Sequence, residues 1–256
     1  MVDTGLLILG LAAGILSGLF GIGGGIVMVP SLIAFFGFSI LDANSISLTA
    51  MLLPVGIFGV AAYYRAGYIS IRNASWIAVG LLAGSYFGAE LAEVIKEGIL
   101  ARLYALFLFY IALTYLDIPK FFKGNTPKPL SDPQKSLNPA GMIAVGVLAG
   151  VIAGLFGKGG GIIIVPALVN IFHYDTKAAV ATSLAALQLP VGLPSVLVYA
   201  HNGHLNLHYA ALIAVGIVIG AYLGSRMAVK IPSGIFKKTY ALFLFAVAFY
   251  MAFRYI

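Results

Sequence analysis

The chain has 256 residues, 61% of them hydrophobic and only 9% charged, with a mean hydropathy of +1.04. A water-facing surface needs roughly a quarter of its residues charged, so this composition excludes an ordinary soluble globular protein. The absence of cysteine excludes disulfides, thiolate metal sites and a cysteine nucleophile, and the net charge of +7 is scattered over loops without the dense basic block of a nucleic-acid binder.

Ten apolar segments follow in chain order. The first five run approximately Thr4–Phe20, Ile26–Phe38, Ala43–Tyr64, Ala74–Leu91 and Ile99–Leu116. The Met1–Gly5 stretch before them has no basic residue, so the first segment is expected to be retained rather than cleaved as a signal. A polar stretch follows that holds Pro127, Pro129, Pro133 and four lysines. The second five segments run approximately Ala140–Phe156, Ile162–Phe172, Ala178–Ala200, Leu207–Val229 and Gly234–Phe253. The expected organisation is a transmembrane repeat over 1–118, a cytoplasmic linker over 119–139 and a second repeat over 140–256. The bilayer is the first implied partner.

The two sets of segments are copies. In the ungapped register that sets Gly10 on Gly146, the residues Gly14, Gly18, Gly21, Gly23 to Gly25, Pro30, Ser47, Pro54, Tyr63, Gly67, Gly80, Gly84 and Gly88 all meet identical residues. Two homologous halves in a membrane protein are the usual mark of a secondary transporter. The second segment of each half is shorter than the ~20 residues that cross a bilayer. It therefore pairs with the segment before it as a hairpin, or the two form one broken crossing.

Loop charge separates these options. With a hairpin, each half has an odd number of full crossings. The positive-inside rule then places Arg65, Arg72, the linker lysines, Arg226, Lys230, Lys237 and Lys238 on the cytoplasmic side. The expected fold is an all-α polytopic membrane protein of two inverted five-segment repeats, each with a helix pair broken at a Gly-rich tip. Both termini lie outside a prokaryotic plasma membrane.

The candidate chemistry sits at the breaks. Glycines one turn apart, such as Gly80, Gly84 and Gly88, read as close helix packing. The runs Gly21 to Gly25 and Gly157 to Gly161 are different, because three consecutive glycines stop a helix just before a new one begins. The N–H groups at such a start are free to hold an anion. Gly23, Gly24, Gly25, Gly159, Gly160 and Gly161 are therefore candidate substrate contacts. Lys158, where the first half has Ile22, adds a positive charge that inside a membrane calls for a partner or a cavity. Ser47, Ser183 and Gln188 are candidate cavity-lining residues beside Pro54 and Pro190, and Tyr63 and Tyr199 read as interfacial belt residues.

Neither glycine run fits a phosphate loop or a dinucleotide fingerprint, and no HExxH, GxSxG or Ser–Lys pattern marks a hydrolase. No catalytic residue, cofactor or metal is expected. His201, His204 and His208 read as members of a solvated loop rather than metal ligands.

The double motif Gly18–Pro30, Gly-Leu-Phe-Gly-Ile-Gly-Gly-Gly-Ile-Val-Met-Val-Pro, and Gly154–Pro166, Gly-Leu-Phe-Gly-Lys-Gly-Gly-Gly-Ile-Ile-Ile-Val-Pro, resembles the sulfite exporter TauE/SafE family. The Ala181–Leu184 stretch and the polar linker share in that likeness. The resemblance implies transport of a small sulfur-containing oxyanion such as sulfite or a sulfonate. Alternatives are a channel or transporter for another anion and, from a different class, an intramembrane enzyme or scaffold. A second copy of the chain is a further candidate partner.

Overall fold

In the computed structural model, described for residues 2–20, 25–52, 60, 63–115, 138–157, 160–228, 242, 245–246 and 248–250, the described chain is helices joined by short turns, with no strand among the described residues. In chain order the helices are α1 Val2–Phe20, α2 Gly25–Phe36, α3 Ile40–Ala50, α4 Ile71–Val94 and α5 Glu97–Tyr115. After the linker come α6 Pro139–Phe156, α7 Gly161–Asn170, α8 Thr176–Ala186, α9 Leu193–His201 and α10 Leu207–Ala228. Among the described residues, α4 and α6 are long and apolar enough to cross a membrane by themselves.

The glycine stripes decide which helices meet. The most extensive pairings are α4 with α6 and α1 with α10. A Cβ added at Gly80 would lie 2.2 Å from the Ile143 carbonyl oxygen, and one at Gly84 would lie 2.1 Å from that of Val147. The same contacts recur at the equivalent positions of the other half, where Gly216 and Gly220 press against the Leu7 and Leu11 carbonyls at 2.5 and 2.2 Å. Each half thus lays its first helix against a long helix of the other. Without a hydrophobic drive between helices in lipid, this backbone approach supplies dispersion and weak C–H contacts.

α1 and α2 fold back on one another. A Cβ at Gly5 would lie 2.9 Å from the Phe36 ring, so the end of α2 returns to the start of α1; Gly141 and Phe172 repeat the contact at 2.9 Å. The end of α2 thus lies beside the start of α1, and the end of α7 beside the start of α6. Turns repeat too. Gly37 after α2 has φ 71°, and its counterpart His173 after α7 takes φ 57°, in the left-handed region that costs a non-glycine residue little only in special settings.

α2 is buried from Gly25 to Ile33, which no lipid-facing helix would be. α3 beside it is capped by Ser39, whose hydroxyl accepts from the Asp42 N–H, and it is buried over most of its length.

The third segment of each half departs from expectation. In place of single runs over Ala43–Tyr64 and Ala178–Ala200, α3 ends at Ala50 and α8 ends at Ala186. Residues 51–52 and 187–192 form turns and bends, and in the second half α9 then begins at Leu193. Pro190 has no N–H to continue the helical ladder, and the helix ends ahead of it. The fifth segment of the second half, Gly234–Phe253, lies largely outside the described residues, as does the linker.

Candidate functional site

α4 provides a ruler for the interior. It has 24 residues and at 1.5 Å per residue is about 36 Å long. Gly160, the N-cap of α7, is buried against its middle: a Cβ there would lie 2.8 Å from Leu81 Cδ2 and 2.9 Å from Ala149 Cβ. Gly160 has no side chain to cap the helix, and the first N–H groups of a helix have no carbonyl partner within it.

Beside Gly160 lies a cavity of about 50 Å³. Its wall is Leu48, Met51 and Leu52 at the end of α3, Leu81 and Ser85 on α4, Ala153 on α6, and Leu187 with Leu189 to Gly192 in the turn after α8. The ends of α3 and α8 and the start of α7 therefore converge on one small chamber. Helix starts carry positive and helix ends negative partial charge, so the chamber offers both signs from backbone alone.

The expected site residues separate. Gly25 is buried at the start of α2. Gly161 meets Ser183, with a Cβ at the glycine 3.5 Å from Ser183 Oγ and 3.2 Å from Leu187 Cδ1. Gln188 lies in the turn after α8; its Nε2 donates to the Leu184 carbonyl at 3.2 Å, and its Oε1 is buried without a partner. Ser47 donates to the Gly157 carbonyl at 2.8 Å, so in this arrangement its proton is not available to an anion. Gly23, Gly24, Lys158 and Gly159 lie outside the described residues.

Several residues that shape the site are not among the expected contacts. Gly157 takes φ 65°, ends α6 in the left-handed conformation and donates back to the Ala153 carbonyl, the usual αL stop. The next carbonyls are capped by side chains from distant segments. Tyr199 Oη donates to Gly154 at 2.7 Å and Asn44 Nδ2 to Leu155 at 2.8 Å. Tyr199 is fully buried, which corrects its reading as an interfacial belt residue: its hydroxyl satisfies a helix end in the interior. Across the cavity, Ser85 Oγ donates to the Val191 carbonyl at 2.9 Å and Ser195 Oγ to the Ser85 carbonyl at 2.7 Å. These bonds tie the turn before α9 to α4.

The histidine loop also differs from expectation. His201 is exposed, but His204 is partly buried, with Nδ1 2.8 Å from Asp42 Oδ1 and Nε2 3.6 Å from Glu93 Oε2. His208 Nε2 lies 3.3 Å from Asp3 Oδ2. His204 is thus held between two carboxylates rather than simply solvated. No group of three or more side chains suited to a metal ion occurs among the described residues.

An all-helical chain with this composition, apolar helices of membrane-crossing length and half-helices ending on an interior chamber belongs to the class of helical membrane transporters. Residues 6–251 match the Sulfite exporter TauE/SafE family, and the chain belongs to that family. A probable membrane transporter protein of Methanocaldococcus jannaschii is 34% identical over 241 residues, covering 88% of this chain and 86% of its own. One of Haemophilus influenzae is 31% identical, covering 96% of each chain, and one of Bacillus subtilis is 28% identical, covering 87% of each. No solved structure matches the chain significantly.

Proposed function

We propose that this protein is a secondary transporter that carries a small sulfur-containing oxyanion between two inverted halves, with the anion resting at the Gly-rich helix breaks near the bilayer midplane. The observation that carries the reading is the position of Gly160. It starts α7 about halfway along α4, beside the chamber where α3 and α8 end. Discontinuous helices with ends meeting at the midplane are the common architecture of transporter sites, with anionic groups at the helix starts. The chamber, of about 50 Å³, exceeds the roughly 10–15 Å³ that a single water needs, so it has room for a small polar group.

The inversion has support in the opposite ends of α4. At its start, Asn73 Nδ2 bonds to the hydroxyl of Tyr174, in the loop after α7. At its far end, Glu93 faces His204, which also holds Asp42 at the start of α3, just beyond the loop after α2. Asn73 and Glu93 are about 30 Å apart along the helix, roughly the thickness of the hydrocarbon core. Equivalent loops of the two halves therefore sit at opposite ends of a spanning helix, as inversion requires. Loop charge then gives a cytoplasmic linker and outer termini.

In this reading Gly23 to Gly25 and Gly159 to Gly161 present backbone N–H groups, and Lys158 adds the fixed positive charge that a lone helix start lacks. Ser183 stands beside Gly161, and Gln188 and Ser47 shape the walls behind the chamber. The role is carriage rather than catalysis.

Flux into proteoliposomes containing the purified protein tests this, with sulfite, thiosulfate, sulfate, sulfoacetate and chloride as separate cargoes. Saturable movement of a sulfur oxyanion is expected. Movement of chloride alone would replace the cargo, and no movement of any of the five would remove the reading.

A further inference from the structure

The cluster at the outer end of α4 has a chemistry that the anion site does not use. His204 lies in the loop between α9 and α10, and it faces two carboxylates from two other elements: Asp42 in the first turn of α3 and Glu93 in the last turn of α4. We propose that this trio is a proton-binding site that couples anion movement to a proton gradient, an inference that rests on the transport reading above.

The argument is one of hydrogen-bond inventory. A neutral imidazole has one N–H and one lone pair, while an ionised carboxylate only accepts. Both ring nitrogens of His204 point at carboxylate oxygens, 2.8 Å to Asp42 and 3.6 Å to Glu93. With a neutral ring and two ionised carboxylates, one of these approaches would set lone pair against lone pair. The arrangement is satisfied when one more proton lies within the trio, on the ring. The shorter of the two separations, to Asp42, falls in the range of charge-assisted N–H to carboxylate bonds.

The surroundings fit a proton that is held but exchangeable. Asp42 also accepts from Ser39 Oγ at 2.7 Å, which fixes the carboxylate beside the ring. Glu93 Oε1 is buried with no hydrogen-bond partner, so an unshared negative charge on that carboxylate is costly. Asn202 faces Glu93 from the same loop as His204, and Glu90 adds a second negative charge one turn earlier on α4. From α9, the Tyr199 ring meets the imidazole edge-on at 6.5 Å. The exposed pair His208 and Asp3 is separate, at 3.3 Å. His204 itself keeps about a quarter of its side-chain surface, 24%, open to solvent, which gives the proton a way in.

Position supplies the coupling. α3 begins at this cluster and ends at the chamber, with Leu48, Met51 and Leu52 in its wall. The protonated ring ties the start of α3 to the end of α4 and to the loop before α10, the three elements that would have to move together or apart. Removing the proton leaves one ring N–H for two carboxylates, so the tie that joins α3 to α4 through His204 is broken. In the repeat register the counterparts of Asp42, Glu93 and His204 are Ala178, Val229 and Tyr68. None of these is an acid or a histidine, so the site is single and one proton per cycle is expected.

The test has two independent readouts. Thiosulfate, whose charge is constant near neutral pH, is accumulated by proteoliposomes under a pH difference of one unit with the membrane potential clamped at zero. One coupled proton shifts the steady-state accumulation ratio by about tenfold. Wild type is expected to show that shift, while His204→Gln and Glu93→Gln still equilibrate thiosulfate without responding to pH. A full shift in both variants would overturn the proposal. The second readout is the nitrogen spectrum of histidine-labelled protein in micelles, with His204 identified by its loss in His204→Gln. Both ring nitrogens of His204 should carry protons near neutral pH in wild type, and one should be lost in Glu93→Gln. A singly protonated ring unchanged by Glu93→Gln would overturn the proton site even if thiosulfate does not move. Absence of flux for every anion in wild type would count against the transport reading instead.

Discussion

Ser47, in the first half of the chain, gives its hydroxyl proton to the carbonyl of Gly157, in the second, at 2.8 Å. The bond sits where α6 must stop and the chain must turn toward α7. With Asn44 and Tyr199 on the carbonyls of Leu155 and Gly154, it lets distant segments hold this helix break in shape. A helix end buried in a membrane protein cannot use bulk water to satisfy its last carbonyls, and here side chains from two distant segments replace it.

Removing one of these donors should therefore destabilise the fold through the break it holds. Asn44→Leu leaves the Leu155 carbonyl buried and unpaired, at a cost of about 1–3 kcal/mol. Thermal unfolding in detergent should fall measurably for Asn44→Leu and Tyr199→Phe, and for Ser47→Ala by a similar or smaller amount. An unchanged midpoint in all three would show that the carbonyls find other partners.

The glycine stripes make a sharper structural prediction. Gly84→Val puts carbon where the Val147 carbonyl oxygen lies 2.1 Å away, so α4 and α6 must part. Gly98, with nothing within 4 Å of an added Cβ, serves as the control. Size-exclusion profiles after extraction should show Gly84→Val lost or aggregated and Gly98→Ala folded. A monodisperse Gly84→Val protein would contradict the close packing of these helices.

The proposed topology makes its own prediction, which rests on loop charge. Single cysteines at Lys128 and Lys237 should react with an impermeant thiol reagent from the cytoplasmic side, and one at Asn202 from the outside. Labelling of position 237 from the outside would contradict the inverted arrangement.

Much of this fold is legible in the sequence, because hydropathy marks where apolar segments lie and the repeat register marks which are equivalent. α1, α2, α4, α5, α6, α7 and α10 fall within a few residues of their expected bounds. The glycine stripes also announce close packing, though not which helices would meet. The breaks of the third segments are hidden for a physical reason: proline is tolerated inside membrane helices, so Pro190 within an apolar run signals a kink as readily as an end. The buried roles of Asn44, Tyr199 and His204 are hidden differently. Each acts on a partner far along the chain, 111 residues from Asn44 to Leu155 and 162 from His204 to Asp42, and no local pattern encodes such a pairing. Tyr199 looks interfacial because aromatic residues near segment ends usually are.

The central claim, an anion held where α7 begins, is tested most directly by titrating sulfite against purified wild type and Lys158→Met at low and high ionic strength. A charge-assisted hydrogen bond is worth about 1.5–3 kcal/mol, and about 1.4 kcal/mol is tenfold in affinity. Loss of the ammonium should therefore weaken binding by about ten- to a hundredfold, at high as well as low salt, because a direct contact with the anion is screened far less than a solvent-exposed charge. Near-equal affinities for the two proteins, or a small difference that salt abolishes, would contradict it.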